Sequence, residues 1–148
     1  MSLVIDASVA LKWVLPERDS GAAAVLLGRT LHAPNLILAE CGNVLWAAAR
    51  RRTLTADRAR QCLAFLVSVP IVMASPDRLV ESAMDIAFRL DHPIYDCLYL
   101  ALALREGLPF VTADTRFAEA VRREGGPRSP SVHLLAEIDE WTGDASRS

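Results

Sequence analysis

Apolar positions in this chain fall into short continuous runs that alternate with longer segments of helical spacing. Leu3-Val4-Ile5 is an unbroken apolar run that reads as a buried strand, ending at Asp6. Ser8 can cap a short helix through Leu15, because Pro16 cannot continue it. Residues 19–29 carry Ala22, Val25 and Leu26 at helical spacing, and 31–33 form a short strand. Pro34 and Asn35 open a long helix through about Arg52, and Thr55 caps the next one, which runs to about Val67. A strand at 70–73 follows, then a helix from Ser75-Pro76 to about Leu90. Pro93 starts another helix, which Gly107 closes. The chain finishes with a strand at 109–112, a helix from Asp114 to about Glu124, a loop at 125–130 and a strand at 132–135.

Strands that alternate with helices predict an α/β fold, an α/β/α sandwich around a central, mainly parallel sheet. No linker, repeat or low-complexity segment interrupts the 148 residues. One domain over 1–141 is expected, with 142–148 a polar, frayed tail. In such sheets ligands bind at the carboxyl ends of strands, near the point where the winding reverses.

Acidic residues stand where that geometry makes them useful. Asp6 ends the first strand, and Asp114 lies just past the strand at 109–112. Either could also cap the helix that follows it. Glu40 and Asp96 sit inside helices that are apolar nearly all round, which predicts internal helices. A carboxylate there needs a cation, a hydrogen-bond network or a solvent-lined cleft. Asp96, near a helix N-terminus, is also favoured in its ionised form. Ser8, Asn43 and Thr112 are neutral neighbours able to orient carboxylates or bound water. Oxygen ligands without His or Cys suit the hard cations Mg2+ and Mn2+. Those ions in an acidic cleft serve hydrolysis of phosphate esters, with a phosphodiester the natural substrate.

Composition changes this picture only in part. The chain is 52% hydrophobic and 23% charged, which supports a packed core and argues against disorder. A mean hydropathy of +0.24 leaves apolar surface for a partner or a second copy of the chain. A net charge of −2 argues against simple electrostatic coating of DNA. It leaves room for local arginine groups: Arg50, Arg51 and Arg52 with Arg58 and Arg60, and Arg122, Arg123 and Arg128. These could meet nucleic-acid phosphates or simply be solvated helix ends. Cys41, Cys62 and Cys97 are odd in number and form no paired motif, so buried free thiols are expected. His32, His92 and His133 are scattered; His92, near Asp96 in sequence, could face the site, but a capping or surface role is expected for it. Trp13 and Trp46 read as core or partner contacts. No basic leader precedes the first strand, and Glu40, Asn43, Arg50 and Asp96 break every apolar stretch short of the roughly 18–20 residues a membrane span needs. A cytoplasmic location is expected.

Four segments, taken in order, resemble one known family across nearly the whole chain. Val4-Ile5-Asp6-Ala7-Ser8-Val9-Ala10-Leu11-Lys12-Trp13 looks like the opening of PIN-domain proteins, notably the VapC toxins of toxin–antitoxin systems. Ala33-Pro34 with Leu38-Ala39-Glu40, Asn43 and Val44-Leu45 is similar to the second acidic motif of that family. Tyr95-Asp96-Cys97-Leu98-Tyr99-Leu100-Ala101-Leu102-Ala103 is similar to its third, and Val111-Thr112-Ala113-Asp114 with Phe117 to its fourth.

The resemblance implies a PIN fold with Asp6, Glu40, Asp96 and Asp114 as the catalytic set at one end of the sheet. Asp6, Asp96 and Asp114 would hold Mg2+ or Mn2+, and Glu40 would hold bound water or act as base. It also implies RNA cleavage, a homodimer, and inhibition by a cognate VapB-like antitoxin. Arg50, Arg51 and Arg52 are the candidate RNA contacts. Two other readings compete. A haloacid-dehalogenase-like phosphatase needs a second Asp two residues after the first, where this chain has Ser8. A non-catalytic binding or regulatory module on the same fold is opposed by the intact acid set.

Overall fold

Leu3, Val4 and Ile5 have no accessible surface, as a strand covered on both faces requires. They form the centre of β1 (Ser2–Ile5) in a computed structural model that describes residues 1–124 and 131–138. The other elements are α1 (Ala7–Ala10), α2 (Ser20–Leu26), β2 (Thr30–Pro34), α3 (Ile37–Arg50), α4 (Ala56–Ser68), β3 (Ile71–Ala74), α5 (Val80–Leu90), α6 (Ile94–Glu106), β4 (Phe110–Thr112), α7 (Thr115–Arg123) and β5 (Val132–Leu134). The five strands form one sheet in the order β3-β2-β1-β4-β5, every pairing parallel. Helices cover it as an α/β/α sandwich. The tail beyond Trp141 and the loop at 125–130 lie outside the described residues.

Several local expectations hold. Thr55 caps α4 by accepting the Arg58 N–H at 3.0 Å, and Gly107 ends α6 in the left-handed conformation at φ 64°. Others move, each for a local reason. Asp6, rather than Ser8, caps α1, so that helix starts at Ala7, and the segment continues only as a 3-10 turn, Leu11–Trp13. Pro34 stays in β2 opposite Ala74, and the Asn35 N–H donates to Ala74 O at 2.8 Å; this extra pairing delays α3 to Ile37. Pro76 opens a separate 3-10 turn, Pro76–Arg78, before α5.

The two helices expected to be internal differ. In α6, residues 97–103 are all buried. In α3 only Ile37, Cys41, Leu45 and Ala48 are buried, a single helical stripe, while Val44 and Trp46 face solvent. Ala39 and Trp46 on its outer side look like core residues in the sequence, but both are exposed. Cys41, Cys62 and Cys97 are buried free thiols. Half-buried Trp13 donates its indole N–H to Ala23 O at 2.8 Å.

Three fully buried aromatics pack beneath the carboxyl edge of the sheet. Tyr99 and Phe110 stack at 6.5 Å, and Phe117 meets Phe110 edge-on at 6.1 Å. Phe110 joins the other two, so Phe110→Ala is expected to cost about 3–5 kcal/mol in urea unfolding. A loss below about 1 kcal/mol would show that the cluster does not anchor this edge.

Candidate active site

Winding proceeds from β1 through β2 to β3 on one side, while β4 and β5 lie on the other. The reversal between β1 and β4 opens a crevice at their carboxyl ends. Ile5 pairs with Val111, so one step further Asp6 is level with Thr112.

Asp6 is 6% exposed, and the three groups that donate to it are all neutral. Its Oδ1 accepts from the Ser8 hydroxyl and from the Val9 N–H at 3.2 Å, and its Oδ2 accepts from the Thr112 hydroxyl. Each hydroxyl is itself oriented by the β4–α7 turn. Ser8 Oγ accepts the Ala113 N–H at 2.9 Å, and Thr112 Oγ1 accepts the Asp114 N–H at 3.0 Å. With both hydroxyls acting as acceptors there, their protons point at Asp6. A carboxylate offers about four lone-pair directions; these three bonds leave one open.

Burial pushes the Asp6 carboxyl up to about 6, against the pull of its hydrogen bonds, and the charge of Asp96 pushes the same way. Glu40, half-buried at the start of α3, accepts the Tyr99 hydroxyl at 3.1 Å. Burial raises its carboxyl above the usual range, the Tyr99 hydrogen bond opposes this, and Asp96 and Asp6 add to the rise. Asp6, Glu40 and Asp96 are thus close enough to repel one another. Among the described residues no lysine or arginine pairs with any of them.

Asp96 is half-exposed, and its Oδ2 lies 2.6 Å from His92 Nε2. Asp114 stands at the same edge of the sheet but plays a different part. It is exposed and caps α7, its Oδ1 accepting the Phe117 N–H at 3.0 Å, and its charge is not among those raising Asp6 or Glu40. The sequence left capping open for Asp114, and the structure shows it.

Among the described residues no three His, Cys, Asp or Glu side chains are grouped so as to hold a metal ion. The donor set nevertheless fits a hard cation. It is all carboxylate, carries uncompensated negative charge and keeps a lone pair of Asp6 free. Mg2+ commonly binds through one or two carboxylates while keeping several waters, so it needs no closed cage. Cys41 and Cys97 adjoin two of the acids in sequence. Burial pushes their thiols up to about 12 and about 11, so both are protonated at neutral pH.

The remaining candidates separate. Ser8 and Thr112 are in the site. Asn43 is exposed one turn beyond Glu40 and makes no side-chain hydrogen bond among the described residues. Arg50 lies ten residues beyond Glu40, about 15 Å along α3, and its guanidinium sits 5.5 Å over the Trp46 ring. Arg51 and Arg52 are exposed past the helix end. Arg122 is tied to Glu137 at 2.8 Å, and Arg128 lies outside the described residues. One contributor, Tyr99, escaped the sequence reading, and His92, expected at a cap or the surface over a place in the site, instead meets Asp96. Tyr99 had a signal: a phenol in an apolar helix must find a partner for its hydroxyl. Arg123, from the second arginine group, lines a cleft of about 550 Å3 together with His92, Asp114 and Arg116, and Arg116 is an addition to the candidates.

The PIN domain model matches residues 3–122, so the chain belongs to the PIN-domain family. Within that family it is similar to the VapC ribonucleases. It is 33% identical to Ribonuclease VapC3 of Pyrobaculum aerophilum over 123 residues, which cover 80% of this chain and 94% of the relative. The crystal structure of PAE2754 from the same organism superposes with a TM-score of 0.70 at 20% identity, covering 97% of this chain and 99% of that one. VapBC2 from Rickettsia felis, solved bound to a DNA fragment from its promoter, gives a TM-score of 0.60 at 12% identity, with 90% and 98% covered. At those identities the two structures show a shared fold.

The raised Asp6 carboxyl has a consequence for stability. In the unfolded chain an aspartate titrates near 3.8, in the folded chain near 6. The advantage of the neutral form is therefore full well below pH 3.8 and lost as pH rises through about 6. Asp6→Asn does not titrate. Measured by urea unfolding in chelator, its stability relative to the parent is expected to rise by about 2 kcal/mol between pH 4 and pH 7. A difference that does not change with pH would contradict the burial argument.

Proposed function

We propose that this chain is a divalent-metal-dependent endoribonuclease of the VapC kind, the toxin of a toxin–antitoxin pair. One observation carries the reading: a buried carboxylate, Asp6, held only by neutral donors beside the like charges of Glu40 and Asp96. Such a cluster is costly to ionise unless a cation joins it. The VapC3 relative is named a ribonuclease, and RNA is the phosphodiester substrate this reading adopts.

Asp6, Asp96 and Asp114 are the residues assigned to Mg2+ or Mn2+, directly or through water. When bound, such an ion lowers the pKa of water and neutralises charge on the leaving oxygen. Glu40 is the base. Its raised carboxyl is better matched to neutral pH than an ordinary glutamate, and Tyr99 holds Oε1, so Oε2 is left to take a proton. The attacking water loses that proton to Glu40 as its oxygen bonds to phosphorus. One ester P–O bond breaks, and the departing oxygen is protonated from solvent. Ser8 and Thr112 keep the Asp6 oxygens fixed, and Asn43 remains an accessory candidate at the rim. Arg116 and Arg123 lie beside Asp114 and can meet the nearest RNA phosphates, while Arg50, Arg51 and Arg52 reach only a strand that runs on along α3.

A VapB-like antitoxin is the assigned partner, supported by the fold shared with the toxin–antitoxin pair VapBC2. Exposed apolar side chains support a partner or a homodimer: Met84 at 45%, Phe88 at 79% and Tyr95 at 65% exposure. No helix among the described residues is long and apolar enough to cross a membrane, and the cytoplasm is where this reading places the enzyme. The non-catalytic alternative gains nothing from the site, which lacks none of its four acids.

Purified protein freed of any antitoxin is expected to cut labelled total RNA into discrete products with Mn2+ or Mg2+, and not with chelator. Asp96→Asn is expected to lower the rate about a hundredfold or more with an unchanged circular dichroism spectrum. Cleavage at the parent rate by a folded Asp96→Asn protein would overturn the assignment.

A further inference from the structure

His92 lies between α5 and α6, where Asp91 turns left-handed at φ 50° and Pro93 fixes the next residue. The His92 N–H donates to Ala87 O at 3.1 Å, so the backbone holds the residue before its ring makes any contact. The ring then makes two. Nε2 lies 2.6 Å from Asp96 Oδ2, and the ring packs on Phe117 with centroids 4.6 Å apart. Phe117 is 1% exposed, and its N–H is the one that Asp114 caps. A continuous path therefore runs from Asp96 through His92 and Phe117 to Asp114.

We infer that His92 is a positioning residue that fixes the Asp96 carboxylate and sets it relative to Asp114. An aspartate on the first turn of a helix has two free torsions. Holding Oδ2 against an immobilised ring removes that freedom and leaves Oδ1 open for a cation. Partners of this kind, which touch a ligand rather than the ion, commonly change metal affinity about 10–100-fold when removed. His92 is 23% exposed at its side chain and covered on one face by Phe117, which restrains the ring. This inference rests on the metal-site reading above.

The test uses the full chain stripped with chelator, with Mn2+ alone as the probe. Free Mn2+ is followed by electron paramagnetic resonance, and urea midpoints are recorded in parallel. His92→Leu keeps an apolar contact for Phe117 and removes the hydrogen bond; His92→Gln keeps a nitrogen donor. The expected result is Mn2+ binding about 10–100-fold weaker in His92→Leu, with the urea midpoint near that of the parent. His92→Gln is expected to recover most of the loss. Parent-like affinity in His92→Leu overturns the inference alone. So does a folded His92→Gln that binds no better than His92→Leu. A parent protein that binds no Mn2+ defeats the metal-site reading itself, and the inference with it.

Discussion

The hydrogen bonds that Ser8 and Thr112 donate to the buried carboxylate of Asp6 join the ends of the two central strands, and the geometry of the site depends on them. Each hydroxyl accepts an N–H from the β4–α7 turn and donates its own hydrogen bond to Asp6. The same turn places Asp114 at the start of α7. One residue past β1 and three past Val111, the chain thus locks the crevice at the winding reversal into a single shape. Asp6 is also the N-cap of α1, so the carboxylate that fixes the crevice fixes the entry to the next helix as well.

That arrangement costs stability at neutral pH. Burial raises the Asp6 carboxyl to about 6, and Glu40 and Asp96 share its sign. A fold selected only for stability would place an apolar residue or an arginine there. The hydroxyls and amides around Asp6 satisfy its geometry and leave its charge unanswered. Tyr99 and His92 repeat the pattern. Each supplies one hydrogen bond to one acid, and each is braced by an aromatic, Phe110 for Tyr99 and Phe117 for His92. The aromatic cluster beneath the edge therefore connects the core to the orientation of the acids above it.

Much of this was legible in the sequence, for physical reasons that also mark where legibility ends. The unbroken apolar runs at β1 and β4 could only be strands covered on both faces, and acids placed immediately after them had to meet at the carboxyl edge. Thr55 and Gly107 marked helix ends because their chemistry is local. Helix exposure was harder, since Val44 and Trp46 on α3 are apolar yet uncovered. The choice of Asp6 over Ser8 as cap depended on Thr112 and Ala113, more than a hundred residues away. Tyr99 and Glu40 are likewise 59 residues apart in the sequence. His92 and Asp96 are four residues apart, but Pro93 and the start of α6 fall between them, so no helical spacing rule linked them. Arg50, Arg51 and Arg52 drew attention as a charge run; of the arginines beside the site, Arg123 stood in the second arginine group, whereas Arg116, alone near the start of α7, joined it only in three dimensions.

The most direct measurement is the titration of the Asp6 carboxyl by carbon-detected NMR, with chelator and again with saturating Mg2+. A cation that answers the buried charge must favour the ionised form. The account predicts a midpoint near 6 in chelator and a drop of more than about one unit with Mg2+, equivalent to about 1.4 kcal/mol or more of coupling. An Asp6 that titrates at the same pH in both conditions would contradict it.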